Sequence, residues 1–395
     1  MPIIKNNLYY EVTSETVTKP VSAVKIQLDI LNTCVHDCPG CYVDKKNNFI
    51  AAEDIRDISN FIKGIVECGI LVDEILIGPT DFSSSANLVE LLSNTDFIDL
   101  INDNGPILAF TSSFVNLNEV NFRKFCSFVN DKITNNTEIE MGIAIDPKKF
   151  LFDSDYNTEI KKNIEYLNIL ENSVTYTFLV NIDDYEIEFV SIFEKAYSEY
   201  DTTIDFIPSI ARSGDKEKLL RAIQSLNEFY DKVGQSRVIN NIMVDHSHGG
   251  MNYQVVNWRK STPYKPGKWY LSPFLYENMA IYDEFWEIKE FSDITVKVES
   301  QLNTDTECNG CEFFFSCYNR KIQLLQDYIG TTECIVSKDN LMLHKDTSLG
   351  CADSMYQWDG YTNEKDRNGY RDKFLVHENN LHEIEKIEEI YNANK

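Results

Sequence analysis

Three cysteines stand within eight residues of one another, Cys34, Cys38 and Cys41, in the run Asn-Thr-Cys-Val-His-Asp-Cys-Pro-Gly-Cys-Tyr from Asn32 to Tyr42. Thiolates at this CxxxCxxC spacing can converge on one metal centre. Pro39-Gly40 supplies the tight turn that brings Cys38 and Cys41 together. An iron–sulfur cube normally takes four cysteines, so three local ligands leave one iron open to a substrate or cofactor. Two other chemistries compete. Cys38-x-x-Cys41 can pair with Cys308-x-x-Cys311 as a four-cysteine zinc site, which orphans Cys34 and Cys317. A CxxC redox pair explains neither the third cysteine nor the surrounding pattern.

The elements that must position these thiols read as repeated β/α units. Ala23–Ile30 is a strand, and the cysteine run follows it at once. Helices are expected over Asp54–Cys68, Leu88–Ile101, Glu119–Val129, Glu159–Leu170, Tyr185–Tyr197 and Lys216–Val233, from apolar residues at helical spacing. Strands are expected over Glu74–Ile77, Pro106–Thr111, Ile139–Ile145, Val174–Ile182 and Thr203–Ile207. Gly69 is a helix stop, while Gly78-Pro79, Asp146-Pro147 and Pro208 end strands. Six strands, each followed by a helix, predict an α/β fold of parallel units. An open partial barrel or a doubly wound sheet satisfies that order, and both do chemistry at strand C-termini. The cysteine run lies at such an end.

After residue 234 the pattern changes. Val238–Asp245 reads as a further strand, His246–Lys268 is rich in turns, and Trp269–Ile288 reads as an aromatic hairpin. A second cysteine group follows. The expected organisation is a short extension (1–22), the β/α region (23–235), a connecting hairpin region (236–300), a cysteine-rich domain (301–360) and a helical tail (361–395). Met1–Val21 is too short to be a domain that binds a substrate leader.

The chain has 395 residues and a net charge of -26. That charge argues against a nucleic-acid surface and against docking on an anionic membrane. It suits solubility and a neutral or basic partner. No signal peptide and no membrane-length apolar run is visible, so a cytoplasmic location is expected. Ten cysteines in that compartment point to metal or chemistry rather than disulfides. Cys68 and Cys126 are the exceptions, expected as buried small hydrophobes on helix faces.

CxxxCxxC after the first strand of a six-unit β/α array resembles the radical S-adenosylmethionine (SAM) superfamily over roughly Ser22–Asp215. The resemblance implies a partial (β/α)6 barrel. It implies that Cys34, Cys38 and Cys41 hold a 4Fe–4S cluster whose open iron binds SAM, and that a 5′-deoxyadenosyl radical abstracts a substrate hydrogen. It also implies SAM contacts. Tyr42 would stack on adenine, and Gly78, with Thr80 and Asp81 sharing the acid's place, stands where the family has its GGE-type stretch. Ser113 ends the Thr111-Ser112-Ser113 run. Asp146 lies in a stretch similar to "SIDG", with Pro147 replacing the glycine. Asn181 would reach the ribose or the substrate. Ile207-Pro208-Ser209 and Arg212-Ser213-Gly214 look like the sixth-strand segment of peptide-modifying members.

The second group, Cys308-x-x-Cys311-x5-Cys317 with Cys334 beyond, resembles the SPASM/Twitch extension of such enzymes. It lacks the further cysteine, at Lys321, and the earlier pair, so the resemblance implies a single auxiliary 4Fe–4S cluster. Its ligands would be Cys308, Cys311, Cys317 and Cys334, with Cys351 competing for the fourth place. Zinc on the same ligands is the alternative. His36 is expected to pack on the first cluster. His246 and His248 read as a polar loop, Tyr318 and Arg320 as surface residues beside the second group, and Glu383–Glu389 as a solvated helix face. The implied partners are a peptide substrate, such as a ribosomally made precursor, and an electron donor such as flavodoxin or ferredoxin. The alternatives are a small-metabolite substrate, or a zinc-stabilised binding protein without radical chemistry.

Overall fold

In a computed structural model of the chain, short apolar runs become strands and amphipathic stretches become the helices that cross between them. The structure describes residues 17–20, 23–31, 34, 36, 50–79, 81–84, 86–182, 187–208, 215–233, 253–259, 267–272, 286–289, 295–298, 326 and 329–335. Strand β1 (Val17–Pro20) is followed by β2 (Ala23–Leu31), β3 (Leu71–Pro79), β4 (Ile107–Ser112), β5 (Ile139–Ala144), β6 (Val174–Ile182) and β7 (Thr203–Pro208). From β2 to β7 the strands lie side by side in chain order, each parallel to its neighbour. Parallel neighbours require a crossover between them. These are α1 (Ala52–Glu67), α2 (Ala86–Leu92) with α3 (Thr95–Asn104), α4 (Glu119–Lys132), α5 (Pro147–Phe152) with α6 (Ser154–Glu165), and α7 (Phe189–Tyr200). The α/β expectation holds, with the six strands in the order a partial barrel requires.

Period-2 alternation builds the core. Ile26, Leu28, Ile75, Ile77, Leu108 and Phe110 alternate along their strands and are buried. In α1, Ile55, Ile58, Ile62 and Ile65 form one buried stripe. The helix starts where the Asp54 carboxylate accepts from Ala51 N, and it stops at Gly69, whose φ of 77° favours glycine. The expected helix over 88–101 is two helices. Asn94 interrupts it by accepting from Phe97 N and capping α3. A further helix, α5, begins at Pro147, where only a strand stop and a SAM contact at Asp146 are expected. Asp146 is its N-cap and Pro147 opens its first turn. Cys126 is buried as expected, but Cys68 is exposed, because it lies one residue past the end of α1.

The sheet continues past β2. The antiparallel strands β8 (Tyr253–Arg259), β9 (Lys268–Ser272) and β10 (Trp286–Glu287) extend it on that edge. The aromatic segment therefore joins the main sheet. Trp258 Nε1 and Trp269 Nε1 each donate to Asp57 Oδ2 of α1 at 3.3 Å, and Phe61 stacks on Trp269 at 3.8 Å.

The chain divides into two compact units: Ala23–Gly214 with Gln254–Ile294, and Met1–Ser22 with Asp215–Tyr253 and Thr295–Lys395. The expected β/α region ended later, at residue 235. The second unit contains α8 (Lys216–Val233) and the antiparallel pair of β1 with β11 (Thr295–Val298). The strand expected over Val238–Asp245 lies outside the described residues. Among the described residues, no helix is long and apolar enough to cross a membrane.

One polar cluster has a measurable consequence. Lys25 pairs with Glu74, its register partner across β2 and β3. Nearby, burial first and the Glu74 charge next push the Glu140 carboxyl up to about 7, against the pull of Lys25. The unfolded value is about 4.3, so the folded chain binds the extra proton and stability falls as pH rises from about 4.5 to about 7. Glu140→Gln should flatten that slope and raise the urea midpoint at pH 8, by roughly 1–2 kcal/mol of stability, while leaving it nearly unchanged at pH 4.5.

Candidate functional site

Cys34, His36, Asp81 and Ser113 all lie just beyond the C-terminal ends of β2, β3 and β4. Cys34 lies three positions beyond the end of β2, is half-buried and is not in a disulfide. Cys38, Cys41 and Tyr42 lie outside the described residues, as does Thr80. His36, expected to pack on the first cluster, is described. Its Nε2 shares a hydrogen bond with Ser113 Oγ at 2.7 Å and lies 3.7 Å from Asp81 Oδ2.

Asp81 is the hub of this end. It is 5% exposed, just past β3. Its Oδ1 accepts from Ser83 N at 2.9 Å and Ser83 Oγ at 2.6 Å. Its Oδ2 accepts from Ser112 Oγ at 2.6 Å and Ser113 N at 3.4 Å. Burial alone would raise the carboxyl's pKa, but the imidazole of His36 and the hydroxyls of Ser112 and Ser83 outweigh burial and hold it below the usual carboxylate range. Asp81 is thus an anion supported from three segments.

The loop after β4 is held in an unusual backbone shape. Phe114 and Asn116 both have φ of 54°. A bulky residue in that region is a genuine outlier and persists only where its surroundings fix it. Here Phe114 N donates to Ser112 Oγ, its carbonyl accepts from Asn163 Nδ2 at 2.9 Å, and its ring is fully buried.

The remaining expected contacts are placed as follows. Gly78 is buried at the end of β3 in register with Asp29, and a Cβ there would meet nothing nearer than Thr111 Oγ1 at 3.8 Å. Asn181 is half-buried on β6, in register with Ile207. Asp146 is exposed, with Oδ1 accepting from Lys149 N as the cap of α5 and its backbone N donating to Tyr156 Oη.

Two residues were missed from sequence. Asn87 is buried on α2. Its Nδ2 donates to Ile30 O at 2.8 Å, and its Oδ1 accepts from Ile50 N at 3.0 Å. It ties together both ends of the stretch that carries the cysteines. Asn257, fully buried on β8, has both amide atoms without a hydrogen-bond partner among the described residues.

In the second unit, Cys334 is half-buried. Its neighbours are fixed: Glu333 O accepts from Gln326 Nε2, and Ile335 O accepts from Asn227 Nδ2 of α8, each at 2.6 Å. Cys308, Cys311, Cys317 and Cys351, with Tyr318, Arg320, His246 and His248, lie outside the described residues. Among the described residues no three His, Cys, Asp or Glu side chains are grouped to hold a metal ion.

No protein-family model matches the sequence, and no curated protein matches it. Similarity to solved structures is found. The crystal structure of Streptococcus suis SuiB bound to S-adenosylmethionine matches at 9% identity over 70% of this chain and 66% of that one, with a TM-score of 0.43. SuiB bound to the precursor peptide SuiA matches at 11% identity over 61% and 58%, with a TM-score of 0.37. Native anSMEcpe with bound AdoMet and Cp18Cys peptide matches at 12% identity over 78% and 96%, with a TM-score of 0.46. The chain therefore spans less than two thirds of the length of the SuiB structures. With identities this low, function has to be argued from the chain's own residues.

Proposed function

We propose that the chain is a radical SAM enzyme with one auxiliary cluster, acting on a peptide or protein side chain to crosslink, epimerise or oxidise it. One observation carries the reading: the CxxxCxxC run begins three residues beyond the first of six parallel β/α strands, at their C-terminal ends. Three thiolates in that position suit a 4Fe–4S cluster with an open iron. The chemistry such a cluster supplies is one-electron cleavage of SAM to a 5′-deoxyadenosyl radical that takes a substrate hydrogen. The protein's part is to bind, orient and exclude water. Cys34, Cys38 and Cys41 would hold the cluster. Gly78, at the end of β3, would lie against SAM, with Tyr42, Thr80, Asp81, Ser113, Asp146 and Asn181 as the proposed surrounding contacts. Cys308, Cys311, Cys317 and Cys334 would hold the auxiliary cluster, with Cys351 competing for the fourth place. The peptide substrate follows from the SPASM-like spacing of that group, and a flavodoxin- or ferredoxin-type donor would supply the electron.

Anaerobic reconstitution followed by iron, sulfide and zinc analysis tests the reading. The expected result is about eight irons per chain, four per cube, and release of 5′-deoxyadenosine when SAM and a strong reductant are added. Zinc as the only metal, with SAM intact, overturns it.

A further inference from the structure

We propose that Asp81 and Asn87 are positioning residues that fix the cysteine-bearing stretch to the strand ends, Asp81 through Ser113, which seats His36, and Asn87 through the stretch's two ends. The inference rests on the reading above only for what the three thiols bind.

Three contacts support it. Asn87 binds Ile30 O, where β2 ends, and Ile50 N, where the chain returns ahead of α1. A single buried carboxamide therefore closes the base of the stretch. The third contact is His36, inside the stretch, held by Ser113 Oγ and facing Asp81 Oδ2. His36 stands two residues from both Cys34 and Cys38. Two residues reach at most about 7 Å, so fixing His36 bounds the positions of both thiols.

The partners of His36 are themselves immobile. A carboxylate offers about four acceptor sites, and Asp81 fills them with Ser83 N, Ser83 Oγ, Ser112 Oγ and Ser113 N. Asp81 thereby joins the turn after β3 to the loop after β4, and that loop is itself locked at Phe114. A site whose ligands are already ordered loses less freedom on binding, which is the advantage of preorganisation. On this reading the acid after β3 organises the protein around the thiols, a role separate from its proposed contact with SAM.

The test is hydrogen–deuterium exchange on the full metal-free chain, read on peptides containing Cys34 and His36, with peptides from β5 and α4 as reference. His36→Ala should speed exchange there by about 10-fold or more, and His36→Gln, which keeps a nitrogen in reach of Ser113, should restore most of the protection. Asn87→Asp keeps the acceptor for Ile50 N and loses the donor to Ile30 O, so exchange should rise at the β2 end. After reconstitution, iron should pass to a chelator about 10-fold faster from His36→Ala than from wild type, and the low-temperature EPR signal of the reduced protein should broaden. Wild-type exchange in both His36→Ala and Asn87→Asp overturns the proposal. So does a His36→Gln variant as unprotected as His36→Ala. If the wild type takes up no iron, the proposed function fails, and the exchange measurements still decide the anchoring. Asp81→Asn, which replaces one carboxylate oxygen by a donor facing Ser83 or Ser112, should also speed exchange at His36, and wild-type exchange there overturns the role of Asp81; if that variant does not fold, the His36 and Asn87 variants decide the anchoring.

Discussion

Cys34→Ala should bring SAM cleavage more than about 100-fold below wild type, because losing a partner of a ligand already costs 10–100-fold and Cys34 is proposed as a ligand itself. Iron should fall by about four atoms per chain, one cube's worth. Cys308→Ala should lose a similar amount of iron but keep measurable SAM cleavage, since the two cysteine groups are proposed to serve different clusters. Bound metal that survives Cys34→Ala but is lost in Cys308→Ala would instead favour the shared zinc site of Cys38, Cys41, Cys308 and Cys311. Cys126→Ala is the control. Its thiol is fully buried among apolar residues, and burial pushes its pKa up to about 12, far from the thiolate a metal needs. Removing it should leave both iron content and cleavage unchanged.

The strand ends were legible because they depend on local pattern. Alternation marks β2, β5 and β6, and proline or glycine follows several of them, so the C-terminal edge could be placed from sequence. Two misses were also local and readable. Asn94 before Thr95-Asp96 and Asp146 before Pro147 are helix-start signals, and each starts a helix. The anchors of the site were not legible, for a physical reason. Asn87 meets partners 57 and 37 residues away, and His36 meets one 77 away. No period or spacing links such residues, and only the parallel sheet brings them together. Asp81 shows the same limit. Of the two hydroxyls that bond its oxygens, Ser83 lies in its own turn, but Ser112 comes from β4, one crossover later.

Phe82→Ala should destabilise the first unit by about 3–5 kcal/mol, read from the denaturant midpoint of the near-ultraviolet signal. Phe82 is 1% exposed, with ring centroids of Phe125 at 4.9 Å, Phe110 at 5.6 Å and Phe122 at 5.7 Å. Truncation opens a cavity beside α4 and β4 that the three remaining rings cannot easily collapse to fill. Phe82→Leu conserves more volume and should cost less, about 1–2 kcal/mol. The change should also be felt above the core. Phe82 lies between Asp81 and Ser83, and the short 3-10 turn Phe82–Ser84 is what aims Ser83 at the carboxylate. If the aromatic cluster fixes that turn, Phe82→Ala should speed exchange around His36 in conditions where the chain is still folded, whereas Cys68→Ser, on the exposed end of α1, should change stability by less than about 0.5 kcal/mol and leave that exchange alone. The ordering of His36 would then depend on the packing beneath the Phe82–Ser84 turn as well as on its own hydrogen bond.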